Sequence, residues 1–210
     1  MVSYLQIRNE FISSGCFCVN QVLLMHPNFN VNNIYRWAKQ ELLVPLRQGW
    51  YAFPETLKIA DFERYVAARI YRPSYISLHY TLSFYGMIPE AVSTITSVTT
   101  NKTLTFDNKF GHYSYQSVKE SFFYGYMPKT DDENRTFHLA TPEKALLDLL
   151  YLYPQYNTAE DMENLRLDES FMSDEFNAEK FMEYCEKAGN KALTRRAKTV
   201  LNTYCTNKRP

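Results

Sequence analysis

The sequence predicts an α+β fold, and three observations lead there. Apolar residues recur at helical spacing through residues 4–42, two short apolar runs flank a basic tip at residues 43–54, and a β-branched middle gives way to helical spacing again near the end. Leu5, Phe11 and Ile12 mark a first helix over Tyr4 to Ser14, ended by Gly15. A short second helix over Val19 to Met25 is stopped by Pro27. Asn30 is placed to cap a third from about Val31 to Leu42, with Val31, Ile34, Ala38 and Leu42 inward. The stretch LVPLRQGWYAFP, Leu43 to Pro54, then reads as a β-hairpin with Arg47, Gln48 and Gly49 at its tip. Three helices followed by a hairpin is the order of a winged helix-turn-helix.

Asp61 to Tyr71 predicts a helix with Phe62, Tyr65, Val66 and Ile70 inward, closed by Pro73. From Tyr75 to Phe106 the chain reads as a buried helix, a sharp stop and a strand run. Ile76, Tyr80 and Phe84 form one stripe and Leu78, Leu82 and Tyr85 a second; Gly86 supplies a left-handed end, and the Thr and Val density from Val92 to Thr105 favours extended chain. Strands are expected around Tyr113 to Val118, Ser121 to Tyr126 and Thr136 to Leu139, separated by turns at Asn108 to Gly111 and Lys129 to Thr136. That makes a mixed α/β domain with a mostly antiparallel sheet. Thr141 caps a helix with Pro142 first and Ala145, Leu146, Leu149 and Leu150 buried. Between Glu160 and Glu179 eight carboxylates stand against Arg166 alone, an exposed acidic link. C-terminal helices close the chain, Ala178 to Ala188 capped by Asn177 and Asn190 to Tyr204 after Gly189. Two domains follow, residues 1–58 and 59–210, with the closing helical segment at about 177–204.

With 210 residues, 45% of them hydrophobic and 16% aromatic, the chain can bury a sizeable core and is not a disordered one. Its formal net charge is zero, so any nucleic-acid surface has to be local. Through Ala60 five cations face three carboxylates, a net of +2. Neither a membrane-spanning run nor a secretion signal is visible, and a cytoplasmic address with four free thiols is expected.

The polar face of the third helix carries Asn32, Asn33, Arg36, Lys39 and Gln40, residue types that reach base edges and phosphates from a major groove. Any solvated helix face carries such residues; the short helix before and Arg47 after are what favour DNA. Tyr35, Trp37, Trp50 and Tyr51 are expected to pack this helix against the wing. No GxxxxGK[ST], GxGxxG or HExxH is present. Cys16, Cys18 and His26 lack a fourth metal ligand, His79, His112 and His138 stand alone, and neither Asp107 with Glu120 nor Glu143 with Asp148 makes a convincing carboxylate pair. A non-enzymatic chain without metal or cofactor is expected.

Three blocks in fixed order, LVPLRQGWYAFP, YISLHYTLSFYGMIPEAVSTITSVTTNKTLTF and LATPEKALLDLLYL, resemble the AbiEi-type antitoxins of bacterial type IV toxin-antitoxin systems, over most of the chain. The resemblance implies a transcriptional regulator whose winged helix binds double-stranded DNA at the promoter of its own operon, and an antitoxin domain that neutralises a nucleotidyltransferase toxin, directly or indirectly. Asn32, Asn33, Arg36, Lys39 and Gln40 would then read DNA, with Arg47 on the backbone. Lys191, Arg195, Arg196 and Lys198 would form a second basic surface.

Overall fold

The computed structural model describes residues 2–205. Helix α1 (Tyr4–Phe11) begins at Ser3, whose hydroxyl accepts the Gln6 amide, and leaves through a 3-10 turn, Ile12–Ser14, to Gly15 at φ 69°. Strand β1 (Cys16–Cys18), helices α2 (Val19–Met25) and α3 (Asn32–Lys39) and strands β2 (Val44–Arg47) and β3 (Trp50–Ala52) follow. The strands make an antiparallel sheet in the order β1-β3-β2. Strand β1 was not expected. A Cys-Phe-Cys triplet is too short for alternation to register, and it is held by pairing from Cys16 with Ala52 to Cys18 with Trp50.

Two inward faces differ from the expected ones. On α1 it is Ile7, not Leu5, that is fully buried, and on α3 Trp37 joins Ile34 in the core while Leu42 is exposed. Helix α3 stops at Lys39 because Glu41 takes a left-handed conformation, φ 59°, and the Leu42 amide returns to the Trp37 carbonyl. The cap of α3 is Val31 rather than the expected Asn30, whose side chain accepts the Asn32 amide from one residue further out.

Beyond a 3-10 turn, Pro54–Lys58, lie α4 (Phe62–Ile70), β4 (Ser74–Ile76), α5 (Leu78–Phe84), β5 (Ile95–Thr99), β6 (Leu104–Asn108), β7 (Gly111–Ser117), β8 (Tyr126–Thr130), β9 (Thr136–Ala140) and α6 (Pro142–Leu152). The six strands form one sheet, β6-β7-β5-β4-β9-β8, with three antiparallel pairings and two parallel ones, β4–β9 and β5–β7. The helix expected from Tyr75 starts only at Leu78, since Tyr75 and Ile76 belong to β4; Phe84 is accordingly exposed rather than part of a buried stripe. Gly86 ends α5 at φ 73°, with the Met87 amide returning to Leu82. No strand covers 121–125; Glu120–Phe122 is a 3-10 turn that delivers Phe122 inward.

Alternation gives the large sheet two working faces. Tyr75 and Val98 point into a layer with α5, α6 and the closing helices α7 (Ala159–Glu163), α8 (Glu169–Asp174), α9 (Ala178–Ala188) and α10 (Lys191–Tyr204). Ile76, Ile95 and Tyr113 point the other way, onto α4 and the small sheet, through a cluster that includes Cys16, Val44, Leu46 and Ala52. The acidic stretch is not a bare link. Met162, Leu165, Leu167, Phe171, Met172 and Phe176 anchor it, leaving the carboxylates outward. All four cysteines are free, and burial pushes the Cys16 and Cys185 thiols up to about 11.

Within the helical layer, α6 carries its expected apolar stripe and, one turn apart, Lys144 and Asp148 with no exposed side-chain surface. The Lys144 ammonium pairs with Asp148, whose second oxygen accepts the Ser77 hydroxyl at 2.7 Å and the Tyr75 hydroxyl at 3.1 Å. Lys144 Nζ also lies 3.8 Å from the centroid of Phe122 and 4.8 Å from that of Tyr124. Gly125, at φ 77°, leaves room for this ammonium stem: a Cβ there would stand 2.9 Å from Lys144 Cγ. Burial lowers the Lys144 pKa and raises that of Asp148. Lys144→Met, which strands the carboxylate, is expected to cost about 3–5 kcal/mol, with Lys144→Met/Asp148→Leu recovering much of the loss. Urea unfolding followed by circular dichroism checks this; a single variant as stable as the parent contradicts it.

Candidate nucleic-acid interface

Helix α3 is positioned by its two large buried residues. Ile34 is fully enclosed, and Trp37 sits between Tyr4 of α1 and Phe29 of the α2–α3 turn, with ring centroids 5.7 and 5.8 Å away. That turn is pinned from outside as well. His26 Nε2 meets Glu10 Oε2 of α1 at 2.8 Å, in a half-buried contact. With one side of α3 so committed, Asn32, Arg36, Lys39 and Gln40 are exposed, and Asn33 is half-buried. Arg36 and Asn33 line an open groove of about 720 Å³ together with Met25, Pro27 and Phe29. Gln40 is the C-terminal cap rather than a helical residue. Arg36 and Lys39 lie in the last turn, where the helix dipole favours cations, and neither makes an ion pair with a carboxylate among the described residues.

One residue on that face was assigned elsewhere by the sequence reading. Tyr35 is 55% exposed beside Asn32, Arg36 and Lys39, while its neighbour Trp37 takes the packing role. The signal lay in the spacing: position 37 falls three after Ile34, on the buried stripe, and position 35 falls four before Lys39.

The hairpin β2–β3 meets α2 at its tip, where the Val19 amide donates to the Gly49 carbonyl at 2.8 Å. Arg47 is not a free tip residue. Its guanidinium lies 5.0 Å from the centroid of Tyr71 and 5.7 Å from that of Phe106, both beyond the first fifty-eight residues, and it is half-buried. The hairpin is thus seated on the large-sheet side of the molecule.

The basic surface expected on α10 is smaller than four residues. Lys191, Arg195 and Lys198 are exposed along a groove of about 630 Å³ between α9 and α10, and Arg195 donates to Asn157 Oδ1 at 2.9 Å. Arg196 is turned inward, 7% exposed, with Nε buried and lacking a hydrogen-bond partner, and burial lowers its pKa. The reason is periodicity, since 196 falls three after Leu193 and four before Val200, both fully buried.

The carboxylates weighed for chemistry are committed elsewhere. Asp148 is enclosed by Lys144, Ser77 and Tyr75; Glu143 is buried against Lys180 Nζ at 3.1 Å; Asp107 binds His112 Nδ1. Cys16 lies in β1, Cys18 precedes α2 and His26 holds Glu10, so these three do not converge. Arg196→Met, which removes a buried unpartnered donor while keeping the stem's bulk, is expected to leave stability unchanged or raise it by up to about 1 kcal/mol. A thermal melt more than a few degrees below the parent contradicts that assignment. Compared with known proteins, the chain matches no protein-family model and no curated protein.

Proposed function

We propose that the chain is a non-enzymatic, DNA-binding transcriptional regulator of the type IV antitoxin kind, whose first fifty-eight residues act as a winged helix. The observation that carries the reading is the α3 face: Asn32, Arg36, Lys39 and Gln40 are exposed together, Arg36 and Lys39 making no ion pair with a carboxylate among the described residues, on a helix whose other side is locked by Ile34 and Trp37. The element order α1, β1, α2, α3, β2, β3 and the strand order β1-β3-β2 support it. In this reading α3 lies in the major groove. Arg36 suits guanine O6 and N7, Asn32 and Asn33 suit adenine N6 and N7, and Lys39 takes a phosphate. Each phosphate neutralised adds about 0.9 to the slope of log affinity against log salt.

The partners are the double-stranded DNA of the chain's own promoter and, from the resemblance of its three sequence blocks, a nucleotidyltransferase toxin met directly or indirectly in the cytoplasm. No helix among the described residues is long and apolar enough to cross a membrane.

A second reading, a winged helix that binds a protein without specific DNA contact, is favoured by one observation. Leu24 is 82% exposed, with Leu5 and Met25 also exposed in the same unit. Arg36→Ala separates the two. On the first reading it costs roughly 1–3 kcal/mol on the upstream DNA and narrows the gap to scrambled DNA, read by fluorescence anisotropy. Unchanged affinity and preference would take Arg36 off the reading face.

A further inference from the structure

We infer that the tip of the β2–β3 hairpin and the adjoining edge of the second part of the chain form one ridge for the DNA phosphodiester backbone, built from Arg47, Arg69, Arg72 and Lys102. The inference rests on the DNA-binding reading above and extends its contact surface beyond the first fifty-eight residues.

Four sets of contacts bring these residues together. Arg47 lies over Tyr71 and Phe106, as described. Directly across the hairpin from Arg47 is Trp50, and the Arg69 guanidinium stands 5.8 Å from the centroid of the Trp50 ring. Arg72 follows Tyr71 in sequence; its Nε donates to the Ala68 carbonyl at 2.9 Å, and its own carbonyl accepts Asn101 Nδ2 at 2.7 Å. Lys102 is placed by its carbonyl, which accepts the Tyr71 hydroxyl at 2.8 Å. The scaffold fixes both backbone positions. Arg72 and Lys102 are exposed, and Arg47 and Arg69 are half-buried.

Among the described residues none of the four cations makes an ion pair with a carboxylate, whereas Arg8, Arg64, Arg135 and Arg166 each do. Arg69 Nε is buried without a hydrogen-bond partner. Burial and then the neighbouring Arg69 charge lower the Arg72 pKa. Like charges held together at a fixed surface raise the local potential and favour a polyanion. Planar guanidinium groups present paired donors to phosphate oxygens. The hairpin turn at Gly49 is hydrogen-bonded to the start of α2, the helix that precedes α3. DNA held by α3 would meet phosphate contacts on both sides of the boundary.

The test is a salt series of full-chain binding to the chain's own upstream duplex and to a scrambled duplex of equal length, comparing the parent, Arg72→Gln/Lys102→Gln and Arg36→Ala. Both substituted ridge residues are exposed, and circular dichroism confirms that the double variant folds. The double variant should keep the parent's preference for the upstream duplex, weaken on both duplexes by the same factor, and lose about 1 from the salt slope for each residue removed. Arg72→Glu/Lys102→Glu should weaken both further. A double variant with the parent's slope, in a parent that still prefers its own DNA, overturns the ridge and leaves the α3 reading standing. A parent with no preference at any salt, with Arg36→Ala unchanged, overturns the DNA reading and the ridge with it.

Discussion

The buried pair of Lys144 and Asp148 is the constraint on which the larger part of the molecule is arranged. Two charges removed from water cost more than their attraction returns unless every remaining lone pair is met. Here they are met from separate segments: Ser77 precedes α5, Tyr75 comes from β4, and Phe122 and Tyr124 come from the connection before β8. An apolar pair could fill the same volume without asking for any of these. The carboxylate asks for two hydroxyls at hydrogen-bond distance and the ammonium for the Phe122 and Tyr124 rings, and together they fix where β4 and the 120–125 segment stand against α6. Helices α9 and α10 then pack on a face already set, with Phe181, Cys185, Leu193 and Val200 buried in the same cluster as Leu146 and Leu150.

A second constraint joins the two sheets. Strand β2 is an edge of the small sheet and β6 an edge of the large one, and unprotected edges invite pairing with other chains. They face each other instead: Asn108 Nδ2 donates to the Leu46 carbonyl at 3.1 Å, and Arg47 lies over Phe106. Behind them Phe62 of α4 presses so closely on Gly15 that a Cβ there would stand 2.7 Å from the ring. The small sheet therefore spends one face on the rest of the protein, and α3, on its other side, keeps a polar face in solvent. The same seating that takes Arg47 out of free solution brings Arg72 and Lys102 beside the hairpin.

What the sequence made legible follows from how local each cause is. Helices α2, α6, α9 and α10 carry their caps and stops within a few residues, as with Asn177 accepting the Lys180 amide and Gly189 at φ 61°, and they stand where the pattern put them. Elements decided by distant partners were hidden. Strand β1 exists because β3 is there to pair with, and Tyr75 and Ile76 are extended because β5 and β9 flank them, although their spacing also fits a helix. Lys144 and Asp148 stood in view at i, i+4 in an otherwise apolar helix, but charges are read as exposed until their partners in remote segments are known. Arg196 was the reverse case, since its place on the buried stripe was readable from position and was overridden by residue type. For the interface, the face of α3 was legible from periodicity alone. The exchange of Tyr35 and Trp37, and the seating of Arg47, needed the packing of α1 and the large sheet.

A formal charge of zero conceals a separation that bears directly on the DNA reading. The carboxylates of residues 160–179 ride on α7, α8 and the start of α9, anchored by Met162, Phe171 and Phe176 to the helical face of the large sheet. The small sheet and its hairpin adjoin the opposite face. A polyanion meets carboxylates along residues 160–179, whereas Arg36, Lys39, Arg72 and Lys102, away from that stretch, make no ion pair with a carboxylate among the described residues. Because exposed charges more than about 10 Å apart are screened at 0.1 M salt, the separation governs orientation at encounter, and contacts made after docking carry the affinity. On the DNA reading, a neutral protein of this build would offer the duplex one defined face, where a uniformly basic one of the same fold would not distinguish its sides.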